Sequence, residues 1–77
     1  GSLNPSSYLY TMIMKDKLLN QVLTLSQEVI ARWVSEGVEV KEASESVLVL
    51  IKEYMDPANP NVEDVRECIS GLKLILK

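Results

Sequence analysis

The sequence contains no histidine, and its three glycines are dispersed rather than clustered. Histidine is the commonest general base and the commonest metal ligand, so its absence removes most familiar catalytic and metal sites. A loop whose backbone binds phosphate groups needs clustered glycines, and this chain has no such cluster. We therefore expect no catalytic residue, no metal ion, no cofactor and no small-molecule substrate, and we interpret the chain as a protein that is not an enzyme.

Long apolar runs and basic clusters are also missing. A membrane-spanning helix needs roughly 20 apolar residues, and no run in this sequence approaches that length. Eight Lys and Arg residues stand against eleven Asp and Glu residues, and the basic residues do not cluster as nucleic-acid binding requires. We expect a protein without a membrane span and without direct contact to nucleic acid.

A single cysteine, Cys68, excludes an intrachain disulfide. Small secreted domains usually depend on disulfides, because their cores are too small to stabilise them alone. We therefore predict a cytoplasmic protein, in a compartment where thiols stay reduced.

Apolar residues recur at helical spacing in three segments. Hydrophobic residues make up 47% of the 77 residues, which is enough for one globular domain. The spacing predicts helices over about 12–35, 40–55 and 62–75. The last two segments share a 3-4-3-4 spacing, which aligns five side chains along one side of a helix. These two apolar seams are Val40, Ala43, Val47, Leu50 and Tyr54 in the second segment, and Val62, Val65, Ile69, Leu72 and Leu76 in the third.

Glycine, proline and asparagine predict the helix boundaries. Gly37 suits the left-handed conformation that closes a helix. Pro57 and Pro60 interrupt the chain between the second and third segments, because each disfavours the helical conformation of the residue before it. Asn61 is then expected to cap the third helix.

The start of the first helix has two candidates. We interpret residues 1–11, which open with Gly1-Ser2, as a tag remnant or a poorly ordered N-terminus, so that the single domain covers 12–77. Asn4 and Pro5 also fit a helix start, with Asn as N-cap and Pro in the first turn. The sequence does not decide whether the first helix starts near Asn4 or near Met12.

The first helix carries the widest apolar surface. Its apolar side chains cover an arc of about 200°, roughly twice what a surface helix needs. We predict an all-α, three-helix up-down-up bundle in which the long first helix is central and the other two form an antiparallel hairpin. Apolar residues outside the seams, such as Val49 and Leu74, indicate that oligomerisation completes the bundle.

The edge of that arc is the predicted interface. We expect a non-enzymatic interaction module that forms a homodimer or binds a helix of a partner protein along its first helix. Trp33 also fits the core, which is the commoner place for one aromatic residue on an apolar face. The predicted interface residues are Leu19, Leu23, Ile30, Trp33 and Val34.

An acidic face offers an alternative function. Acidic residues outnumber basic ones over residues 36–67. The protein would then be a small regulator or inhibitor that occupies a basic surface of a partner protein, and its binding would weaken with salt. The residues of this acidic face are Glu42, Glu45 and Glu53.

The third segment holds the other reactive side chains. Glu63, Asp64 and Glu67 are the densest group of carboxylates, but they fit the positive end of a helix better than a cation site. Cys68 falls on the apolar side of this helix, where a free cysteine behaves as a small hydrophobic residue. We expect neither group to form a site.

Overall fold

In a computed structural model, the described residues of the chain form three α-helices that pack together. The structure describes the backbone of residues 5–77 and the side chains of Tyr10 and of residues 12–77. Helix α1 spans Pro5–Ser35, α2 spans Val40–Tyr54 and α3 spans Val62–Leu76. No strand occurs in this described part of the chain. The prediction of an all-α protein with three helices is confirmed.

Helix α1 is longer than the predicted range of 12–35. It begins at Pro5 rather than near Met12, so that 31 residues are helical. Proline is compatible with a first turn, because the amide hydrogen that it lacks would have no helical partner there. The structure therefore agrees with the earlier of the two starts. Asn4, as the suggested cap, and the first four residues of the suggested tag remnant lie outside the described residues.

Gly37 ends α1, as the sequence predicted. Its φ of 105° lies in a region that glycine adopts without a side-chain clash. The Val38 amide donates to the Trp33 carbonyl at 3.0 Å, and the Gly37 amide donates to the Val34 carbonyl at 3.0 Å. This pair of bonds is the Schellman closure, which satisfies carbonyl groups left open at a helix end. The chain then turns directly into α2.

The two shorter helices begin in different ways. Asn61 caps α3 as predicted, because its side-chain oxygen accepts a hydrogen bond from the Glu63 amide at 2.8 Å. Glu39 precedes α2 and makes no side-chain capping bond. Helix α2 ends at Tyr54 and α3 at Leu76, each one residue from its predicted end.

The core combines side chains from all three helices. Both apolar seams face it except at their first residues, since Val40 of α2 is 61% exposed and Val62 of α3 is half-buried and does not belong to the core. Val40 opens α2, so it has helical neighbours on one side only. Ser26 is buried within the apolar side of α1, and its hydroxyl donates to the Val22 carbonyl at 2.6 Å. The largest fully buried side chains are Val29, Val65, Cys68 and Leu72.

Helix α1 packs against both other helices, and more extensively against α3 than against α2. Arg32 Nη1 donates to the Leu76 carbonyl at 2.8 Å, and Arg66 Nη2 lies 3.7 Å from the Met14 sulfur. A rise of 1.5 Å per residue gives α1 a length of about 46 Å and α3 a length of about 22 Å. The first turns of α1 therefore extend past α3.

Gly71 of α3 lies directly against the Tyr54 ring of α2. A Cβ atom at Gly71 would lie 2.7 Å from both the Cζ atom and the hydroxyl oxygen of Tyr54. The contact between α2 and α3 is the least extensive of the three helix pairs. The missing side chain of Gly71 allows the ring to reach the α3 backbone.

Candidate interaction surfaces

The predicted interface residues of α1 differ in burial. Leu19, Ile30 and Trp33 are half-buried and pack against the core. Leu23 is 58% exposed, and Val34 is 36% exposed. The solvent-facing part of the prediction is thus Leu23 and Val34, with Leu19 and Ile30 between them and the core. We term these four residues the α1 edge.

The middle of α1 carries no charge. Every residue between Lys17 and Glu28 is neutral, including those that face solvent. A surface helix normally presents charged residues on its solvent side, and depletion of charge is typical of the centre of a protein interface. The solvent-facing residues of this neutral stretch are Asn20, Gln21, Leu23, Thr24 and Gln27.

Two of the three predicted acidic-face residues line one groove on α2. Glu42 and Glu45 flank this groove together with Ser46 and Val49. Val49 is 58% exposed, so the groove combines an apolar side chain with two carboxylates. Glu53 is also exposed, but it does not line the groove and lies about 12 Å from Glu45 along α2. We term the four lining residues the acidic groove.

Helix α3 carries a basic surface that the sequence analysis missed. Lys73 and Lys77 border a depression together with Ser70 and Leu74. Leu74 is 68% exposed. The available signal was the four-residue interval between the two lysines, which brings them to one side of a helix next to Leu74. We term these four residues the lysine patch.

The start of α1 exposes further apolar side chains. Tyr10, Met12 and Ile13 all face solvent in the part of α1 that extends past α3. Helix segments without tertiary contacts are only marginally stable in water. None of these three side chains belongs to the hydrophobic core or packs against it.

The reactive side chains of α3 are the thiol of Cys68 and the carboxylates of Glu63, Asp64 and Glu67. Cys68 is fully buried, and burial raises the pKa of its thiol above the ordinary value. A raised pKa keeps the thiol protonated, which is its unreactive form. In the part of the chain that the structure describes, no three Cys, Asp or Glu side chains are close enough together to hold a metal ion.

The length of α1 raises the question of a membrane span. Despite its 31 residues, neither α1 nor another helix of the described chain is both long and apolar enough to cross a bilayer.

Comparisons of the chain with protein-family models, with curated proteins and with solved structures found no match.

Proposed function

We propose that this protein is a non-enzymatic interaction module that binds an amphipathic helix of a partner protein along the α1 edge. One observation carries the proposal: Leu23 is 58% exposed in the middle of a helical stretch without charge. An apolar side chain docked between Leu23 and the half-buried Leu19 would contact both, and a second one about two turns farther along could contact Ile30 and Val34. Burying the exposed part of one leucine contributes about 1 to 2 kcal/mol, so a few such contacts support a specific complex.

The proposal includes an up-down-up order of the helices. Arg32 near the end of α1 contacts the end of α3, and Arg66 in the first half of α3 contacts Met14 in the first half of α1. These contacts support a common direction for α1 and α3. The four-residue connection 36–39 favours an α2 that runs back along α1, which makes α2 and α3 an antiparallel hairpin.

We further propose that the module acts in the cytoplasm. Its only cysteine is buried, and burial raises the pKa of the thiol, which favours the protonated form. No disulfide within the chain therefore requires an oxidising compartment. A free thiol of this kind is compatible with the reducing conditions of the cell interior.

Photocrosslinking in the native cell tests the α1 edge. A photoreactive amino acid replaces Leu23 in one variant and Val40 in a matched control, since Val40 is equally exposed but belongs to α2. We expect an adduct with one other protein from position 23 and none from position 40. The crosslinked peptide should be an amphipathic helix of that protein.

Three results would count against this function. An adduct of position 23 with a second copy of the chain would mean that the α1 edge binds another copy of this chain and not a partner protein. Equal adducts from positions 23 and 40 would mean unspecific contact, and no adduct from position 23 would remove the α1 edge as a binding surface.

A second candidate function is carried by the acidic groove. Glu42 and Glu45 beside the exposed Val49 would suit a basic surface of a target protein, which the module would block as a regulator. Binding of this kind should fall steeply as salt rises and should be lost in Glu42→Gln/Glu45→Gln. Binding along the neutral α1 edge should instead persist at high salt.

A further inference from the structure

Charged and apolar residues on the outer sides of α2 and α3 are complementary to each other. The acidic groove holds two carboxylates beside Val49, and the lysine patch holds two ammonium groups beside Leu74. We propose that two copies of this chain form a two-fold dimer in which the acidic groove of each copy contacts the lysine patch of the other. This dimer goes beyond the proposed function, because it uses a different surface and leaves the α1 edge of both copies free.

The two patches lie at similar heights along the hairpin. The contact of the Tyr54 ring with Gly71 sets the height of α2 relative to α3. In the antiparallel order proposed above, Val49 lies on the same side of Tyr54 along the hairpin axis as Leu74 lies of Gly71. The two separations are measured along α2 and along α3. Their lengths are about 7.5 Å and about 4.5 Å. A depression lined by both Tyr54 and Leu74 joins the two helices on this side.

A two-fold axis parallel to the helices brings opposite charges together. It sets α2 of one copy on α3 of the other and preserves their heights, so the acidic groove faces the lysine patch. Because such an interface is symmetric, each of these contacts occurs twice. Val49 of one copy then approaches Leu74 of the other, and both apolar side chains leave water. An axis perpendicular to the helices would set acid on acid, which is repulsive.

The proposed interface is small. Two 15-residue helices side by side offer a surface about 22 Å long and about 20 Å wide. Such a footprint lies at the low end of specific protein interfaces, so we expect a weak and reversible dimer. Its formation should depend on protein concentration and should weaken as salt rises.

Charge reversal with complementation tests the dimer. The variant Lys73→Glu/Lys77→Glu makes both surfaces acidic, and Glu42→Lys/Glu45→Lys makes both basic. Each variant alone should self-associate at least about tenfold more weakly than the natural chain in sedimentation velocity from micromolar to millimolar concentration. An equal mixture of the two should form a heterodimer, because every facing pair of charges is again opposite.

A matched control separates the surface from the net charge. Lys41→Glu/Lys52→Glu changes the net charge by the same amount as Lys73→Glu/Lys77→Glu. It does so through two exposed lysines of α2 that line neither the acidic groove nor the lysine patch. This variant should dimerise like the natural chain. Circular dichroism of every variant checks that helical content is preserved, and heterodimer formation by the mixture itself requires two folded chains.

Several outcomes would overturn the dimer. A natural chain that stays monomeric at the highest concentration would do so, and so would helical charge variants that fail to associate when mixed. Disruption by Leu23→Asp but not by charge reversal would move self-association to the α1 edge, where it would compete with the proposed partner helix. A monomeric natural chain that binds a foreign basic protein through the acidic groove would favour the regulator instead.

Discussion

Helices α2 and α3 have equal length and the same seam spacing, yet α3 is buried much more deeply. Each helix has 15 residues. The buried residues of α2 are Ala43 and Val47, whereas those of α3 are Val65, Cys68, Ile69, Gly71 and Leu72. Hydrophobic periodicity thus identifies the side of a helix that faces the core, but it does not give the depth of burial.

The difference follows from what holds each helix in place. Helix α3 has a side-chain cap at its start and an arginine contact with α1 at either end, through Arg66 and through the Leu76 carbonyl. Helix α2 lacks a side-chain cap and packs less extensively against α1. We therefore expect α2 to open locally at a lower free-energy cost than α3.

The largest expected difference between the helices comes from equivalent leucines. Leu72 of α3 is fully buried, whereas Leu50 of α2 is half-buried at the rim of the core. Leu72→Ala should lower the free energy of unfolding by about 2 to 5 kcal/mol, because it leaves a cavity. Leu50→Ala should cost roughly 1 to 2 kcal/mol. Urea denaturation measures both, and equal costs would contradict the difference in burial.

Local signals in the sequence predicted the helix boundaries at Gly37 and Asn61, whereas the start of α1 was left open between two positions. Gly37 and Asn61 each act through their own backbone conformation or through an amide two residues away, so their roles follow from residue type and position. The exposure of Val40 and the bond from Arg32 to the Leu76 carbonyl depend on how separate helices are placed. One-dimensional spacing does not contain that information.

The candidate surfaces were predictable to a smaller extent. The sequence identified Leu23 and the carboxylates Glu42 and Glu45, because their positions on a helix follow from the period. It did not identify the lysine patch, because it placed Leu74 outside the seam of the third helix but did not combine it with Lys73 and Lys77. In the folded chain, Lys73 and Lys77 border the same depression as the exposed Leu74.

High pH should weaken α3 through its buried thiol. Folding raises the pKa of Cys68, so above the ordinary pKa of 9.0 the unfolded chain loses a proton that the native chain keeps. The stabilising contribution is therefore complete below pH 9.0 and falls as pH rises above it, by at most about 1.4 kcal/mol per pH unit. Urea denaturation between about pH 8 and 10 measures the slope. Cys68→Ala should reduce the fall of the free energy of unfolding with pH. An unchanged fall in this variant would mean that groups other than the Cys68 thiol cause it.

The two helix starts should respond in opposite directions to cap changes. Asn61→Ala removes the side-chain acceptor for the Glu63 amide and should lower the free energy of unfolding by about 1 kcal/mol. Glu39→Asn offers α2 the capping oxygen that it lacks and should raise stability by up to about 1 kcal/mol. Thermal and urea denaturation follow both. A loss of stability in Glu39→Asn would show that α2 is limited by packing rather than by its cap.

The smallest effect is expected where α2 and α3 meet. Gly71→Ala gains about 1 kcal/mol of helix propensity but pushes the Tyr54 ring away from the α3 backbone, so its net effect should be close to zero. In a Tyr54→Ala background the obstacle is gone, and the same substitution should stabilise the protein by about 1 kcal/mol. A double-mutant cycle in urea measures this coupling. An equal gain in both backgrounds would mean that the ring moves aside without cost, and that the contact of Tyr54 with Gly71 does not stabilise the packing of α2 on α3.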